Sequence, residues 1–229
     1  MGKTVALIMA AGGGERFEGI EPKTFYPLQG RPVLAWAIER FSVHQSVDSI
    51  CIVVAPGEVD RVRDLVASER LAKVDHVVHG GSTRQESVWL GLESLDDTCE
   101  TVLIHDAARP CLGAPLLDRV LEAVASRDAV VPVWPVVDTL VREEDGRVDA
   151  ILDRVHISGV QTPQGFRTAL LMRAHRRAKS DGLMSSDDGS LVFALGEPVV
   201  TVPGEPTNMK ITYIEDAVIA EAILARRRG

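Results

Sequence analysis

Short apolar runs alternate with amphipathic segments along the chain, and this alternation predicts an α/β fold. Several runs are too continuously apolar to leave one face in water, which is typical of strands covered by helices on both sides. Because consecutive βα units wind with one hand, they predict a three-layer fold with a mostly parallel sheet. The predicted strands span 5–9, 49–54, 74–79, 101–104 and 129–133, and the predicted helices lie near 32–43, 58–70, 82–94 and 114–126.

The pattern changes between about 136 and 158, where an inserted β-hairpin is indicated. A strand from Val136 to Arg142 and a turn ending at Gly146 precede a returning strand that starts at Arg147. Such a hairpin can pack at a sheet edge or reach a second subunit, and the pattern permits both. Beyond it we expect helices near 167–180 and 187–195, strands near 199–202 and 208–212, and a closing helix that begins just after Lys210.

Two capping boxes mark helix starts, one from Ser82 to Gln85 and the other from Thr212 to Glu215. The chain contains no internal repeat, low-complexity tract or linker that would divide it. Residues 1–229 are therefore predicted to form a single domain.

Composition narrows the class of protein. Hydrophobic residues make up 45% of the chain and charged residues 25%, a balance typical of a soluble globular protein. The net charge of −8 argues against nucleic acid and membrane surfaces as partners, so any anionic ligand must be held by locally focused cations. Three cysteines without C-x-x-C spacing indicate neither a disulfide framework nor a zinc site, and no signal peptide or membrane span is indicated. We expect a cytoplasmic protein.

A glycine-rich loop from Ala10 to Arg16 leaves the carboxyl end of the first strand, where open α/β sheets bind ligands. Glycines there let backbone N–H groups approach phosphate oxygens, and Arg16 adds a guanidinium group. Lys23 follows Pro22 in the same loop and could flank the same phosphate. A tight turn without a ligand and a solvated lysine are the competing interpretations. A P-loop is excluded because no Lys-Ser or Lys-Thr follows these glycines at the required spacing, and Lys23-Thr24 lies too far along the chain. Phe17 stands where the dinucleotide fingerprint needs a third small residue.

Asp106 and Arg109 follow the fourth strand and should lie at the same edge of the sheet. An acid beside an anion site is otherwise unfavourable, so the simplest role of Asp106 is to hold Mg²⁺ directly or through water. A helix-capping aspartate is the competing interpretation.

Together these motifs resemble those of the 2-C-methyl-D-erythritol 4-phosphate cytidylyltransferase family, and the resemblance runs from residue 4 to the end of the last helix. Each motif is weak alone, whereas the ordered set is specific. The set comprises Ala10 to Arg16, Pro22-Lys23, Gly80-Gly81 with Arg84 and Ser87, His105 to Pro110, Asp138-Thr139, Gln161 to Gln164, and Asn208 to Thr212.

The resemblance implies a Rossmann-like nucleotidyltransferase sheet with an inserted β-hairpin dimerisation arm. It implies CMP transfer from the co-substrate CTP to a sugar-alcohol phosphate, with Mg²⁺ at Asp106. The hairpin would cross to a partner, so that each active site of a homodimer is completed in trans. The implied catalytic residues are Arg16, Lys23, Arg154 and Lys210; the implied nucleotide contacts are Ala10, Ala11, Gly12, Gly14, Gly80, Gly81, Ser82, Ser87, Asp106 and Ala107; and the implied acceptor contacts are Asp106, Arg109, Thr139, Arg154, Thr162 and Lys210.

The chain departs from the family pattern at Val141, where lysine is common, and at Thr207, where some relatives carry aspartate. Ser186-Asp-Asp-Gly189 stands where Thr-Asp-Asp/Glu-Ala is more usual, and Gly189 weakens the start of the helix predicted there. Two alternatives stay open. A ribitol-5-phosphate cytidylyltransferase would differ only in its acceptor contacts. A nucleotide-binding module without catalysis is disfavoured because Arg16 and Lys23 are both present.

Overall fold

The computed structural model describes residues 2–14, 16–17 and 21–228. In these residues, strands and helices alternate as the hydrophobic pattern predicts, and the five principal strands and four helices of the first 135 residues all form. The strands are β1 Lys3–Ala10, β2 Pro27–Leu28, β3 Arg31–Pro32, β4 Ser49–Val54, β5 Val74–His79, β6 Cys99–Asp106, β7 Ala129–Pro135, β8 Leu140–Glu144, β9 Arg147–Leu152, β10 Ser158–Val160, β11 Gln164–Arg167 and β12 Val200–Pro203; the helices are α1 Val33–Val43, α2 Val59–Ser68, α3 Arg84–Glu93, α4 Ala114–Ser126, α5 Thr168–Asp181, α6 Asp188–Ala194 and α7 Ile214–Arg228.

The main sheet has eight strands and is mostly parallel, as predicted. Its order is β10-β7-β11-β6-β1-β4-β5, with β12 beside β7. The pairs β1–β4, β1–β6, β4–β5 and β7–β12 are parallel, whereas β10 and β11 run antiparallel to their neighbours. The short strand β11 was not predicted. It lies between β6 and β7 in the sheet, although only α4 lies between these two strands in the chain.

Helices cover both faces of the sheet, and β1 shows why. Leu7 packs in one core cluster with Val88 of α3 and Leu171 of α5. The next residue, Ile8, belongs to a cluster on the opposite face, together with residues of α1 and α4. Alternate side chains of one buried strand thus contact two helical layers. Among the described helices, none has both the length and the apolar character needed to span a bilayer.

The C-terminal segment differs from its prediction. Residues 208–212 form no strand, and α7 begins at Ile214 rather than just after Lys210. The backbone N–H groups of Thr212 and Tyr213 both donate to Asp216 Oδ2, at 2.7 and 2.9 Å, so the capping carboxylate is Asp216 and not Glu215. The alternating pattern of 208–212 reflects separate tertiary contacts, because Asn208 is buried while Lys210 reaches the carboxyl edge of β6.

The predicted capping box at α3 is displaced by one residue. Thr83, not Ser82, is the N-cap, and its Oγ1 accepts from the N–H of Glu86 at 3.0 Å. The Glu86 carboxylate in turn accepts from both the N–H and the hydroxyl of Ser82 at 2.7 Å. The carboxylate therefore holds the backbone that leads from Gly80 into the helix.

The predicted hairpin is present as a separate two-stranded sheet of β8 and β9. Its first strand begins at Leu140 rather than Val136. Asp145 and Gly146 form the turn with φ of 52° and 73°, the left-handed pair that a type I′ hairpin turn requires. We call residues 136–158 the arm. The arm carries exposed apolar side chains at Val137, Val141, Val148, Ile151, Leu152 and Val155.

Candidate active site

A cleft of about 290 Å³ opens at the carboxyl edge of the sheet, where β1 and β6 end. Its walls are the glycine-rich loop, the segment that enters α3, the end of β6, and Lys210. Gly12 and Gly13 are exposed, and a Cβ on either would have open space within 4 Å, so their backbone borders an accessible volume. The cleft is lined by Met9, Ala10, Ala11, Gly12, Gly13, Lys23, Thr24, Gly81, Ser82, Thr83, Arg84, Ser87, Asp106, Ala108 and Lys210.

Nine of the residues predicted to contact ligands line this cleft. They are Ala10, Ala11, Gly12, Lys23, Gly81, Ser82, Ser87, Asp106 and Lys210. Gly80 lies directly behind it, where a Cβ would come within 2.6 Å of both Ala11 Cβ and Ser87 Oγ. Only glycine permits this approach between the end of β5 and the loop.

Gly14 and Ala107 support the cleft from outside it. Gly14 has a φ of +64°, and a Cβ there would lie 3.6 Å from Lys23 Cβ, so the loop turns against the chain that carries Lys23. Ala107 is fully buried, and its N–H donates to Met9 O at 3.0 Å. Glu15, between Gly14 and Arg16, lies outside the described residues.

Positive charge exceeds negative charge in the cleft. Three cations, Lys23, Arg84 and Lys210, line it together with one carboxylate, Asp106. Burial, Lys210 and Arg16 lower the pKa of Lys23, against the opposing effect of Asp106 and Asp216. Binding of an anion would relieve the repulsion between these cations, so the cleft is suited to an anionic ligand.

Asp106 sits at the centre of these cations. Its Oδ2 accepts from Lys210 Nζ at 2.9 Å, and its Oδ1 accepts from Arg84 Nε at 3.3 Å. Burial acts to raise the pKa of Asp106, but Arg84, Lys210 and Arg109 together hold it well below its ordinary value. The group is therefore a carboxylate at any physiological pH, with lone pairs left for a further ligand.

A second cavity of about 370 Å³ meets the cleft at Asp106. Arg84, Asp106 and Lys210 line both spaces, while Arg109 and Thr162 line only the second. Two ligands bound in these spaces would approach each other beside one carboxylate and two cations. The site can therefore hold two anionic groups in contact.

The hydroxyl of Thr162 is already engaged. It accepts from the N–H of Asp106 at 3.1 Å and lies 3.0 Å from His105 Nδ1. His105 Nε2 faces Arg109 O at 3.2 Å, so Nε2 carries the proton and the threonine hydroxyl donates to Nδ1. One lone pair of the Thr162 oxygen accepts from Asp106 and the other is left, in a residue that lines the second cavity.

Three of the predicted site residues lie away from this constellation. Arg16 is exposed on the loop, although its charge contributes to lowering the pKa of Lys23. Thr139 and Arg154 lie on the arm, outside both cavities, and the Arg154 guanidinium donates to Val137 O. One chain therefore does not bring the four predicted catalytic cations together.

The sequence pattern included Arg84 and Asp188 only as members of motifs, Gly80-Gly81 with Arg84 and Ser186 to Gly189, and predicted no role for either. Arg84 donates to Asp106 from Nε and to Asp188 Oδ2 from Nη1 at 2.8 Å. The position of Arg84 in the first turn after Gly80-Gly81 was a usable signal. Asp188 had only a weak one, an aspartate pair at the start of a short predicted helix.

The chain is similar to known proteins in both sequence and fold. Residues 4–226 match the family described as 2-C-methyl-D-erythritol 4-phosphate cytidylyltransferase. A curated relative of that name from Symbiobacterium thermophilum is 43% identical over 219 residues, which cover 95% of this chain and 91% of the relative. The crystal structure of the enzyme of that name from Thermus thermophilus has a TM-score of 0.80 at 40% identity, covering 96% of this chain and 98% of the other.

A second solved structure is more similar in shape but more distant in sequence. It is a 4-diphosphocytidyl-2C-methyl-D-erythritol synthase from Anaerococcus prevotii, with a TM-score of 0.85 at 30% identity and coverage of 98% of this chain and 97% of the other. Similarity extends over nearly the full length of each of these proteins.

Proposed function

The chain belongs to the 2-C-methyl-D-erythritol 4-phosphate cytidylyltransferase family, and from this membership we propose that it transfers CMP from CTP to 2-C-methyl-D-erythritol 4-phosphate. The products are 4-diphosphocytidyl-2-C-methyl-D-erythritol and diphosphate, in the non-mevalonate route to isoprenoid precursors. The observation that carries the proposal is the meeting of two cavities at Asp106, among Lys23, Arg84 and Lys210. A nucleotide and a phosphorylated acceptor can react there while both are held.

The glycine-rich loop is the part of the cleft suited to the triphosphate. Gly12 and Gly13 leave their backbone open to solvent, and Lys23 faces the same space. Gly81, Ser82 and Ser87 line another part of the cleft and are suited to the polar edge of cytosine. The Ser87 hydroxyl donates to Thr83 O at 2.8 Å and accepts from the N–H of Gly81 at 3.1 Å, so it keeps one lone pair for a base amino group.

The chemical step needs positioning and charge rather than a protein nucleophile. An oxygen of the acceptor phosphate attacks the α-phosphorus of CTP in line, and diphosphate leaves. The attacking monoester is already ionised near neutral pH. Lys23 and Arg16 then stabilise the negative charge that accumulates on the non-bridging oxygens. Lys210 and Arg109 hold the acceptor phosphate beside Asp106.

Mg²⁺ fits this site as an ion carried by the nucleotide. Among the described residues, no group of three or more His, Cys, Asp or Glu side chains could hold a metal. Asp106 would be the sole protein carboxylate on the ion, as suits a cation that keeps several waters and binds substrate phosphates. When bound, it neutralises phosphate oxygens. Asp106 would then share its two oxygens between the ion, Arg84 and Lys210.

A homodimer accounts for the arm. Thr139 and Arg154 lie outside both cavities of their own chain, and the apolar side chains beside them are exposed, with Ile151 at 74% and Val155 at 76%. In a dimer these side chains bury their apolar surface, and Arg154 enters the acceptor cavity of the partner. We also assign the protein to the cytoplasm, where its three cysteines, all free and buried, stay reduced.

Mixing two inactive variants tests completion of the site in trans. Lys23→Ala and Arg154→Ala chains should each be inactive alone. Co-refolded in equal amounts, half of the dimers are heterodimers with one intact site, so about a quarter of wild-type activity should return. If Arg154 serves its own chain, no activity returns.

The activity itself is tested by CTP-dependent diphosphate release with methylerythritol phosphate and ribitol 5-phosphate in parallel, with and without Mg²⁺. We expect turnover with the first acceptor, and only with Mg²⁺. Turnover with ribitol phosphate alone would identify the related cytidylyltransferase. CTP binding without diphosphate release from either acceptor would identify a non-catalytic module.

A further inference from the structure

A line of buried polar groups runs from α5 to the junction of the two cavities. His175 on α5 lies 3.0 Å from Asp188 Oδ1, measured from Nε2. Asp188 Oδ2 accepts from Arg84 Nη1 at 2.8 Å, and Arg84 Nε donates to Asp106 Oδ1 at 3.3 Å. Four side chains from four different elements are thus joined through the two oxygens of Asp188 and two nitrogens of Arg84.

The inner half of this line is fully desolvated. The side chains of His175 and Asp188 are 2% and 1% exposed, while that of Arg84 is 27% exposed. Burial acts to raise the pKa of Asp188, but Arg84 and His175 hold it below its ordinary value. A buried carboxylate accepts hydrogen bonds, so His175 Nε2 carries a proton and donates it to Oδ1. Asp188 therefore has one fixed orientation.

That orientation determines where Arg84 points. A free guanidinium would take both oxygens of Asp106 in a bidentate pair, which is the strongest geometry for this pair of groups. Asp188 instead holds Nη1 in the wall of the cleft, and Arg84 reaches Asp106 through Nε alone. Asp106 Oδ2 is thereby left to Lys210 and to a ligand.

We propose that Asp188, oriented by His175, is a positioning residue that acts through Arg84 to keep one oxygen of Asp106 available to the substrates. The proposal rests on the proposed function, because it assigns a purpose to the availability of Asp106. Neither Asp188 nor His175 lines the cleft. Arg84 is the side chain that joins Asp188 to Asp106, so we expect their effect on turnover to pass through it.

A double-mutant cycle tests the proposal. Asp188→Asn keeps the side-chain size and removes the charge, and we expect kcat/KM to fall roughly 10–100-fold, as for other residues that orient a primary ligand. If Asp188 acts through Arg84, the Asp188→Asn, Arg84→Gln double variant should be no slower than Arg84→Gln alone. Effects that multiply would overturn the proposal, because a merely structural role does not depend on Arg84.

Two further variants keep the test decisive. Asp188→Glu retains the charge and should recover most of the activity lost in Asp188→Asn, which also covers the case in which the latter does not fold. Asp181→Asn removes an exposed ion pair with Arg177 on the same helix and should leave kcat and KM unchanged. Loss of activity in Asp181→Asn would indicate a general sensitivity of α5 and would contradict the proposal.

A crystal structure of Asp188→Asn without substrates separates this inference from the proposed function. We expect the Arg84 guanidinium to turn toward Asp106 and take both of its oxygens. An unmoved Arg84 would refute the inference even if the wild-type protein is fully active. If the wild type shows no diphosphate release, the proposed function fails, and the position of Arg84 still decides whether Asp188 orients it.

Discussion

Lowering the pH from 7 to 5 should reduce the free energy of unfolding because the unfolded chain takes up a proton on His105. The ring is fully buried, with Nδ1 at Thr162 and Nε2 at Arg109 O. Burial, with a smaller contribution from Arg109, lowers its pKa from 6.5 to about 4, although Asp106 acts in the opposite direction. The folded state therefore binds this proton only near pH 4 and below.

The sign and size follow from linkage. Between pH 6.5 and 4 the unfolded chain binds a proton on residue 105 that the folded chain does not, so the free energy of unfolding falls as the pH falls. The pKa difference corresponds to about 3 kcal/mol over the whole window. From pH 7 to pH 5 the loss from this group alone is about 2 kcal/mol.

Urea unfolding at pH 7 and pH 5 measures the effect. The matched variant is His105→Asn, whose amide can accept from Thr162 and donate to Arg109 O but does not titrate. The variant will lose stability at both pH values through imperfect packing, so the readout is the difference between the two pH values. Stopping at pH 5 keeps Asp106 ionised in both states, because its pKa is lowered in the folded protein.

The reasoning fails if wild type and His105→Asn lose the same free energy between pH 7 and pH 5. Every other titrating group is common to both proteins and cancels in that comparison. Equal losses would mean that His105 takes up its proton over the same pH range in the folded and unfolded states. The assigned direction of the hydrogen bond from the Thr162 hydroxyl to His105 Nδ1 would then be wrong.

Three further predictions concern the loop, the core and the arm. Lys23→Ala and Arg16→Ala should each lower kcat by about two to three orders of magnitude, as for lost oxyanion donors. The control is Arg63→Ala, which removes an exposed cation paired with Asp60 and should leave kcat unchanged. Steady-state kinetics measure kcat, and an unchanged value in Lys23→Ala or Arg16→Ala would refute the role assigned to that residue. Gly91→Ala should lower the free energy of unfolding in urea by about 1–3 kcal/mol through overpacking, because the new Cβ would lie 2.7 Å from Leu7 Cδ1. The control is Gly159→Ala, whose Cβ would meet no atom closer than 3.9 Å. Gly146→Ala places a side chain on a turn residue with φ of +73°, which strains the hairpin turn of the arm. The variant should dimerise more weakly in sedimentation experiments, while the unfolding of the main sheet stays unchanged. A dimer of unaltered stability would argue that the arm does not form the dimer contact.

The local sequence pattern was sufficient to predict most strands of the sheet and the site residues that directly follow strand ends. The strand at 49–54 has its predicted bounds, because a strand that pairs on both edges beneath helices needs a continuous apolar run. The glycine-rich loop, Lys23 and Asp106 were found for a related reason. They follow strand ends, and the carboxyl ends of parallel strands meet at one edge.

Pairing between distant segments decided the rest. Nothing local marks Gln164–Arg167 as a strand, since only Phe166 is strongly apolar, and its conformation comes from bonding to β6 and β7. Residues 208–212 alternate like a strand yet form none, because Asn208 and Lys210 are held by separate partners. The cap of α3 moved from Ser82 to Thr83 because the Glu86 carboxylate binds the Ser82 backbone.

The sequence by itself determined the layered sheet, the residues gathered at its carboxyl edge and the family, since each depends on residues close together in the chain or on their order. Only the tertiary structure decided that Arg84 meets Asp188, 104 residues away, and that Arg154 lies outside both cavities of its own chain. Burial makes such contacts specific, because a charge removed from water must have a partner, and the fold determines which partner is within reach.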